Sequence, residues 1–230
     1  GLELGIKGSI VVNDRMETSV PDIYAAGDAV QVKHYVTGDD ALISLAGPAN
    51  KQGRIIADNI CGGDSRYLGS QGSSVIKVFD MTAATTGINE TNAKKSGLEV
   101  DTVILSPMSH AGYYPGGKVM TMKVVFEKET YRLLGAQIIG YEGVDKRIDV
   151  LATAIHAGLK ATQLKDLDLA YAPPYSSAKD PVNMAGFMID NIAKGTLKQW
   201  HLEDMDKISR DKSVVLLDVR TVGEFNRGHM

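Results

Sequence analysis

The chain holds 230 residues and a single cysteine, Cys61. No internal disulfide can form, and no group of thiolates is available to hold a metal, so no metal site is expected. Such cysteine usage suits a reducing, cytoplasmic compartment. No run of about 18 apolar residues occurs, and no segment reads as a signal peptide, so no membrane association is expected. Charge of one sign is also missing. Lys and Arg number 25 against 28 Asp and Glu, a net charge of −3. Neither a nucleic-acid-binding surplus nor a single-sign tail results. No Gly-x-Gly-x-x-Gly is present, so no phosphate-cradling glycine loop is expected. The chain opens on Gly1-Leu2-Glu3-Leu4 without an initiator Met, which reads as the middle of a longer protein. The hydrophobic fraction of 43% and charged fraction of 23% are ordinary for a globular chain, with length for one large domain or two small ones.

The most informative stretch is Thr18-Ser19-Val20-Pro21-Asp22-Ile23-Tyr24-Ala25-Ala26-Gly27-Asp28. Turn residues precede the apolar run Ile23 to Ala26, which predicts a buried strand. Gly27 permits close backbone approach, and Asp28 at the strand's end can accept hydrogen bonds from ligand hydroxyls. An ordinary strand ending in a Gly-Asp turn fits the pattern equally well. Upstream, Ser9-Ile10-Val11-Val12 predicts another strand before the turn Asn13-Asp14, and Val36 to Asp40 reads as a polar loop. Pro48 suits a first helical turn, Ile55, Ile56 and Ile60 continue at helical spacing, and Gly62-Gly63 ends the helix. Cys61 lies at the far end of that helix, with no nearby His and no dipole to stabilise a thiolate.

From Tyr67 onward the texture changes. Gly69, Ser70, Gly72, Ser73 and Ser74 resemble a linker. Short strands are predicted at Val75–Phe79, Thr82–Thr86, Val100–Leu105, Lys118–Phe126 and Arg132–Ile139. Helices are predicted from Asn89 to Ser96 and from Asp145 to His156, each stopped by a glycine. That order argues an antiparallel sheet backed by helices. His156 reads as a packing residue rather than a catalyst. Two Pro/Gly-rich clusters follow from the same count: His110-Ala111-Gly112-Tyr113-Tyr114-Pro115-Gly116, and Leu169 through Tyr171, Pro173, Pro174 and Tyr175 to Pro181. Both predict rigid loops that carry phenols, suited to a ligand pocket or to packing across a dimer. A last helix ends at Lys194-Gly195, and Leu202 to Ile208 is a short helical stretch. Val214 to Leu217 reads as a buried strand, although alone it cannot cover both of its faces.

The Thr18–Asp28 stretch resembles the second flavin-contacting motif of the pyridine nucleotide-disulfide oxidoreductases. Phe79-Asp80 and Thr85-Thr86-Gly87 resemble parts of that family's dimerisation domain. The Leu169–Pro181 cluster resembles the C-terminal motif of coenzyme A disulfide reductases and their NADH oxidase-like kin. No His-Pro-x-x-x-Glu pattern of other branches is present. Asp218-Val219-Arg220 with Glu224-Phe225 and Gly228-His229 resembles the opening of a rhodanese domain. The resemblance implies an α/β and α+β chain. Residues 1–66 would be the second half of a Rossmann-like FAD domain, 67–196 the dimerisation domain, and 197–230 a linker with a truncated rhodanese start.

It further implies FAD held by Gly27, Asp28, Ala29, Ala46 and Tyr171, with the N-terminus of the helix that starts near Pro48 aimed at the flavin ring. Tyr113 and Tyr171 would be catalytic, reaching across a homodimer to the partner's thiol and replacing the absent His-Glu pair. Asn50, where relatives often carry His, and Lys179 would contact coenzyme A. NADH or NADPH would supply electrons, and a coenzyme A disulfide, persulfide or polysulfide would receive them through a redox cysteine outside these residues. The 230 residues alone would then not be catalytic. An NADH oxidase of the same family and a non-catalytic dimerisation module are the alternatives.

Overall fold

The computed structural model describes residues 1–229. The sheet carries the architecture. Five strands, β3 (Ser74–Val78), β4 (Met81–Gly87), β5 (Val100–Leu105), β6 (Met120–Glu127) and β7 (Leu133–Gly140), form one antiparallel sheet in the order β3-β4-β7-β6-β5. Each matches a predicted strand to within two residues. Short turns and bounding glycines made those strands readable.

Helix α3 (Val144–His156) packs on β4 and β7 with Ile148, Leu151 and Ile155 turned inward. Their three- and four-residue spacing puts them on one stripe. Helix α2 (Glu90–Lys95) starts at Asn89, whose side chain accepts from the Asn92 N–H at 2.8 Å. Helix α4 (Pro181–Ala193) packs on the 3-10 turn Ala161–Asp166. The core between these elements contains Met122, Val124, Phe126, Leu134, Leu151, Leu164 and Ile189, all at most 1% exposed. The opposite face of the sheet carries the aligned row Ile76, Ala83, Ile139 and Thr121. Ile76 is 61% and Ile139 44% exposed, so this apolar face is uncovered.

Ahead of the sheet a smaller unit centres on Met16, Val30 and Val32, while Val36 packs into the main core. Strands β1 (Val32–Lys33) and β2 (Asp40–Ala41) pair across the predicted loop. Helix α1 (Ala46–Ile60) packs Ile55 and Ile56 against Met16, Val30 and Val32. Two expected strands are absent here. Of Ser9–Val12, only Ile10 bridges, to Leu4 and Val30. Of Ile23–Ala26, only Tyr24 bridges, to Glu17, and Ile23 is 43% exposed. The cause is tertiary: an apolar run becomes a buried strand only where neighbours cover it, and the described residues supply no such sheet. The Thr18 N–H instead bonds the Ile23 carbonyl at 2.9 Å, closing a local turn.

Beyond residue 196 come a 3-10 turn at Leu202–Asp204, then α5 (Met205–Ile208) and α6 (Val222–Arg227). The buried strand expected at Val214–Leu217 does not form. Those residues are 41 to 85% exposed, because no second strand lies beside them. Helix α6 begins in a capping box between Thr221 and Glu224.

Candidate active site

The two tyrosine clusters, 58 residues apart in sequence, meet. The Tyr113 and Tyr171 hydroxyls lie 2.8 Å apart, in a hydrogen bond that either can donate. That bond with Tyr113, with partial loss of hydration, raises the Tyr171 phenol above its ordinary value. A phenol so placed stays protonated at neutral pH and can donate to a thiolate. Both rings are exposed, Tyr113 at 77% and Tyr171 at 45%, so the pair faces outward. Beside it lies a cleft of about 520 Å³ whose lining includes His110, Lys146, Arg147, Tyr171 and Tyr175.

The loops hang from a buried node that sequence reasoning missed. Arg147 is 1% exposed. Its Nη2 donates to Asp180 Oδ2 at 3.0 Å, the Ser109 carbonyl at 2.9 Å, Ser176 Oγ at 3.2 Å and the Tyr175 carbonyl at 3.3 Å. Its Nε donates to Asp180 Oδ2 at 3.2 Å and its Nη1 to the Gly143 carbonyl at 3.1 Å. The Ser176 hydroxyl donates to Asp180 Oδ2 at 2.6 Å. Asp180 also caps α4, accepting from the Val182 N–H at 3.0 Å. A charge this deep requires such complete pairing. Gly143, at φ 69°, is required here, since a Cβ would sit 2.0 Å from Arg147 Nη1. The Asp180-Pro181-x-Asn183 capping pattern was the available signal. Arg147 itself looked like one more charge on an amphipathic helix.

At the other unit, Gly27, Asp28 and Ala29 form a 3-10 turn against the start of α1. Gly27 holds φ 76° and donates its N–H to Gln52 Oε1 at 2.7 Å. Gln52 is 1% exposed, so the turn is fixed to the helix. Asp28 and Ala29 are exposed. Helix α1 begins at Ala46, with no side-chain cap at Leu45 and no acidic residue in its first turn. An uncapped helix start offers N–H groups and partial positive charge. An exposed carboxylate on a rigid turn beside that uncapped helix start fits a polyol chain attached to an electron-accepting ring. The residues present therefore fit one side of FAD.

Asn50 donates its amide to the Ala46 carbonyl at 2.9 Å, within α1. Lys179 is exposed at the foot of the second tyrosine loop. No hydrogen bond among the described residues joins the α1 group to the tyrosine group. Cys61 is exposed and free just beyond α1, and His156 stacks on Tyr35 at 5.1 Å. No helix among the described residues is long and apolar enough to cross a membrane.

The sheet with its backing helices and the flavin-side turn define a class. The dimerisation domain of the pyridine nucleotide-disulphide oxidoreductases matches residues 73–181, and the oxidoreductase domain itself matches residues 1–53. The chain belongs to this family, as the end of its FAD domain followed by its dimerisation domain. Within the family it is similar to an NAD(P)H sulfur oxidoreductase (CoA-dependent) of Pyrococcus abyssi, 39% identical over 79% of this chain and 41% of that protein. A coenzyme A disulfide reductase of Staphylococcus aureus is 39% identical over 81% of this chain and 42% of that protein. The crystal structure of reduced Bacillus anthracis CoADR-RHD superposes with a TM-score of 0.95 at 48% identity, covering all of this chain and 41% of that one. The chain thus spans about two-fifths of the length of the curated relatives it matches.

Proposed function

We propose that this chain forms the thiol-facing and flavin-facing part of a homodimeric, NAD(P)H-dependent reductase of coenzyme A disulfide, persulfide or polysulfide. The observation that carries the reading is the outward Tyr113–Tyr171 pair, joined at 2.8 Å. Residues 1–66 act as the end of the FAD domain, 67–196 as the dimerisation domain, and 197–230 as a linker with the start of a rhodanese domain. When bound, FAD supplies the relay of two electrons from the nicotinamide to a disulfide. Gly27, Asp28 and Ala29 would hold its polyol side, and the α1 start at Ala46 would offer partial positive charge to its ring.

The phenols act at a partner subunit's thiol. Tyr171, kept protonated by its bond to Tyr113, donates a hydrogen bond to the thiolate that leaves as the substrate's S–S bond breaks, and gives it a proton. Tyr171 also closes the flavin side from across the dimer. Lys179 offers a cation to the phosphates of coenzyme A, and Asn50 offers an amide. The uncovered row of Ile76, Ala83 and Ile139 supports docking of a second copy. No step needs a membrane or nucleic acid, and the reading fits the reducing cytoplasm.

Two assays on the full-length protein test it: thiol release from coenzyme A disulfide with NADH or NADPH, and oxygen uptake without disulfide. Thiol release is expected. Oxygen uptake alone would replace the reading with an NADH oxidase, and a colourless, inert dimer would replace it with a docking module. The 230 residues alone are expected to show no turnover.

A further inference from the structure

We propose that Arg147 is a positioning residue for the phenol pair, its buried guanidinium fixing the bases of both tyrosine loops so that Tyr113 and Tyr171 meet. The inference rests on the reading of these tyrosines as the thiol-facing pair. Ser109 and Lys118 close the first loop at its base, Ser109 N–H to the Lys118 carbonyl at 2.7 Å and Lys118 N–H to Ser109 Oγ at 3.1 Å. Arg147 grips that base through the Ser109 carbonyl. It grips the second loop through the Tyr175 carbonyl and Ser176 Oγ. The Ala111 N–H, bonded to the Ser176 carbonyl at 2.9 Å, laces the loops together. Tyr113 lies two residues beyond that lacing, and the Tyr175 N–H folds back on the Ala172 carbonyl at 2.9 Å, next to Tyr171.

At the loop tips Tyr113 is 77% and Tyr171 45% exposed, so packing holds the two phenols only in part. The node at the loop bases supplies the rest of the constraint on their relative position. A planar fork with five donors can serve Asp180, Ser109, Ser176 and Gly143 at once, whereas a lysine ammonium cannot span them. A buried ion pair contributes little to stability compared with apolar packing of the same volume. Its use here is fixed geometry at exposed loops, which is what proton donation to a thiolate demands.

The test follows the Tyr171 titration by NMR of ring-labelled tyrosine in the full-length protein, with and without Tyr113→Phe. In the native background, Tyr113→Phe shifts that titration. With Arg147→Lys, or with Ser176→Ala, the shift is expected to be lost, and kcat for thiol release to fall roughly tenfold with KM little changed. Ser176→Thr, which keeps the hydroxyl, restores both. Circular dichroism and thermal melting verify folding; if Arg147→Lys does not fold, Ser176→Ala, which leaves the Arg147–Asp180 pair in place, decides alone. Persistence of the Tyr113–Tyr171 coupling in a folded Arg147→Lys protein, or in a folded Ser176→Ala protein where Arg147→Lys does not fold, overturns the proposal. Absence of thiol release in the native protein would instead overturn the reductase reading, whatever the coupling shows.

Discussion

Glu90 offers a stability test with a defined pH signature. It stands in the first turn of α2 and bonds both Lys123 on β6 and Lys94 one turn along its own helix. The Lys123 hydrogen bond, with that of Lys94 next, holds its carboxyl at about 2 against an ordinary 4.5. In a dry setting that difference would correspond to at most about 3.4 kcal/mol. The Glu90 side chain is 25% exposed and that of Lys94 59%, so solvent screening leaves about 1 kcal/mol. A depressed carboxyl stabilises the fold fully above its unfolded value and loses that contribution as pH falls through its folded one. Glu90→Gln is therefore expected to lower the unfolding free energy by about 1 kcal/mol at pH 7. The gap between variant and native protein should narrow below pH 4.5 and close toward pH 2. Urea denaturation followed by circular dichroism, at pH 7, 5, 4 and 3, measures it. A gap that stays constant across this range, or its absence at pH 7, refutes the reasoning.

Tyr113→Phe removes the partner of Tyr171, so the raised titration of Tyr171 should return toward that of a free phenol, read by ring-carbon NMR. Gly186→Ala places a Cβ 2.2 Å from the Lys165 nitrogen where α4 crosses the Ala161–Asp166 turn; that overpacking should cost about 1–3 kcal/mol in thermal or urea melts. Ile139→Lys puts a charge in the middle of the uncovered sheet face and should convert a dimer to a monomer in sedimentation velocity. An unchanged dimer would move the interface elsewhere.

How much of this was legible in the sequence depended on range. The five strands of the sheet were readable because each is bounded by local turns, and α2 and α3 because their caps and glycine stops lie beside them. Ile23–Ala26 and Val214–Leu217 carry the same apolar signal yet form no strand. Strand formation there depends on neighbours that local pattern does not report. The tyrosines were picked out by residue type in rigid loops, but their hydrogen bond spans 58 residues and could not be read. Arg147 escaped notice because a buried guanidinium and a surface one occupy the same place in an amphipathic repeat. Only the acceptors that converge from three segments tell them apart.

The strand at the other margin of the sheet, β5, has a different consequence. An unpaired strand edge is a template for joining another chain. Here the departing chain lies across it: Gln199 Nε2 donates to the Thr102 carbonyl at 3.0 Å, and His201 Nε2 meets Asp101 Oδ1 at 2.9 Å. The tail thus acts as a guard rail, occupying an edge carbonyl and keeping a neighbouring molecule from extending the sheet. Loss of residues 197–204 should show as light scattering and aggregation at high concentration, long before it shows as loss of fold.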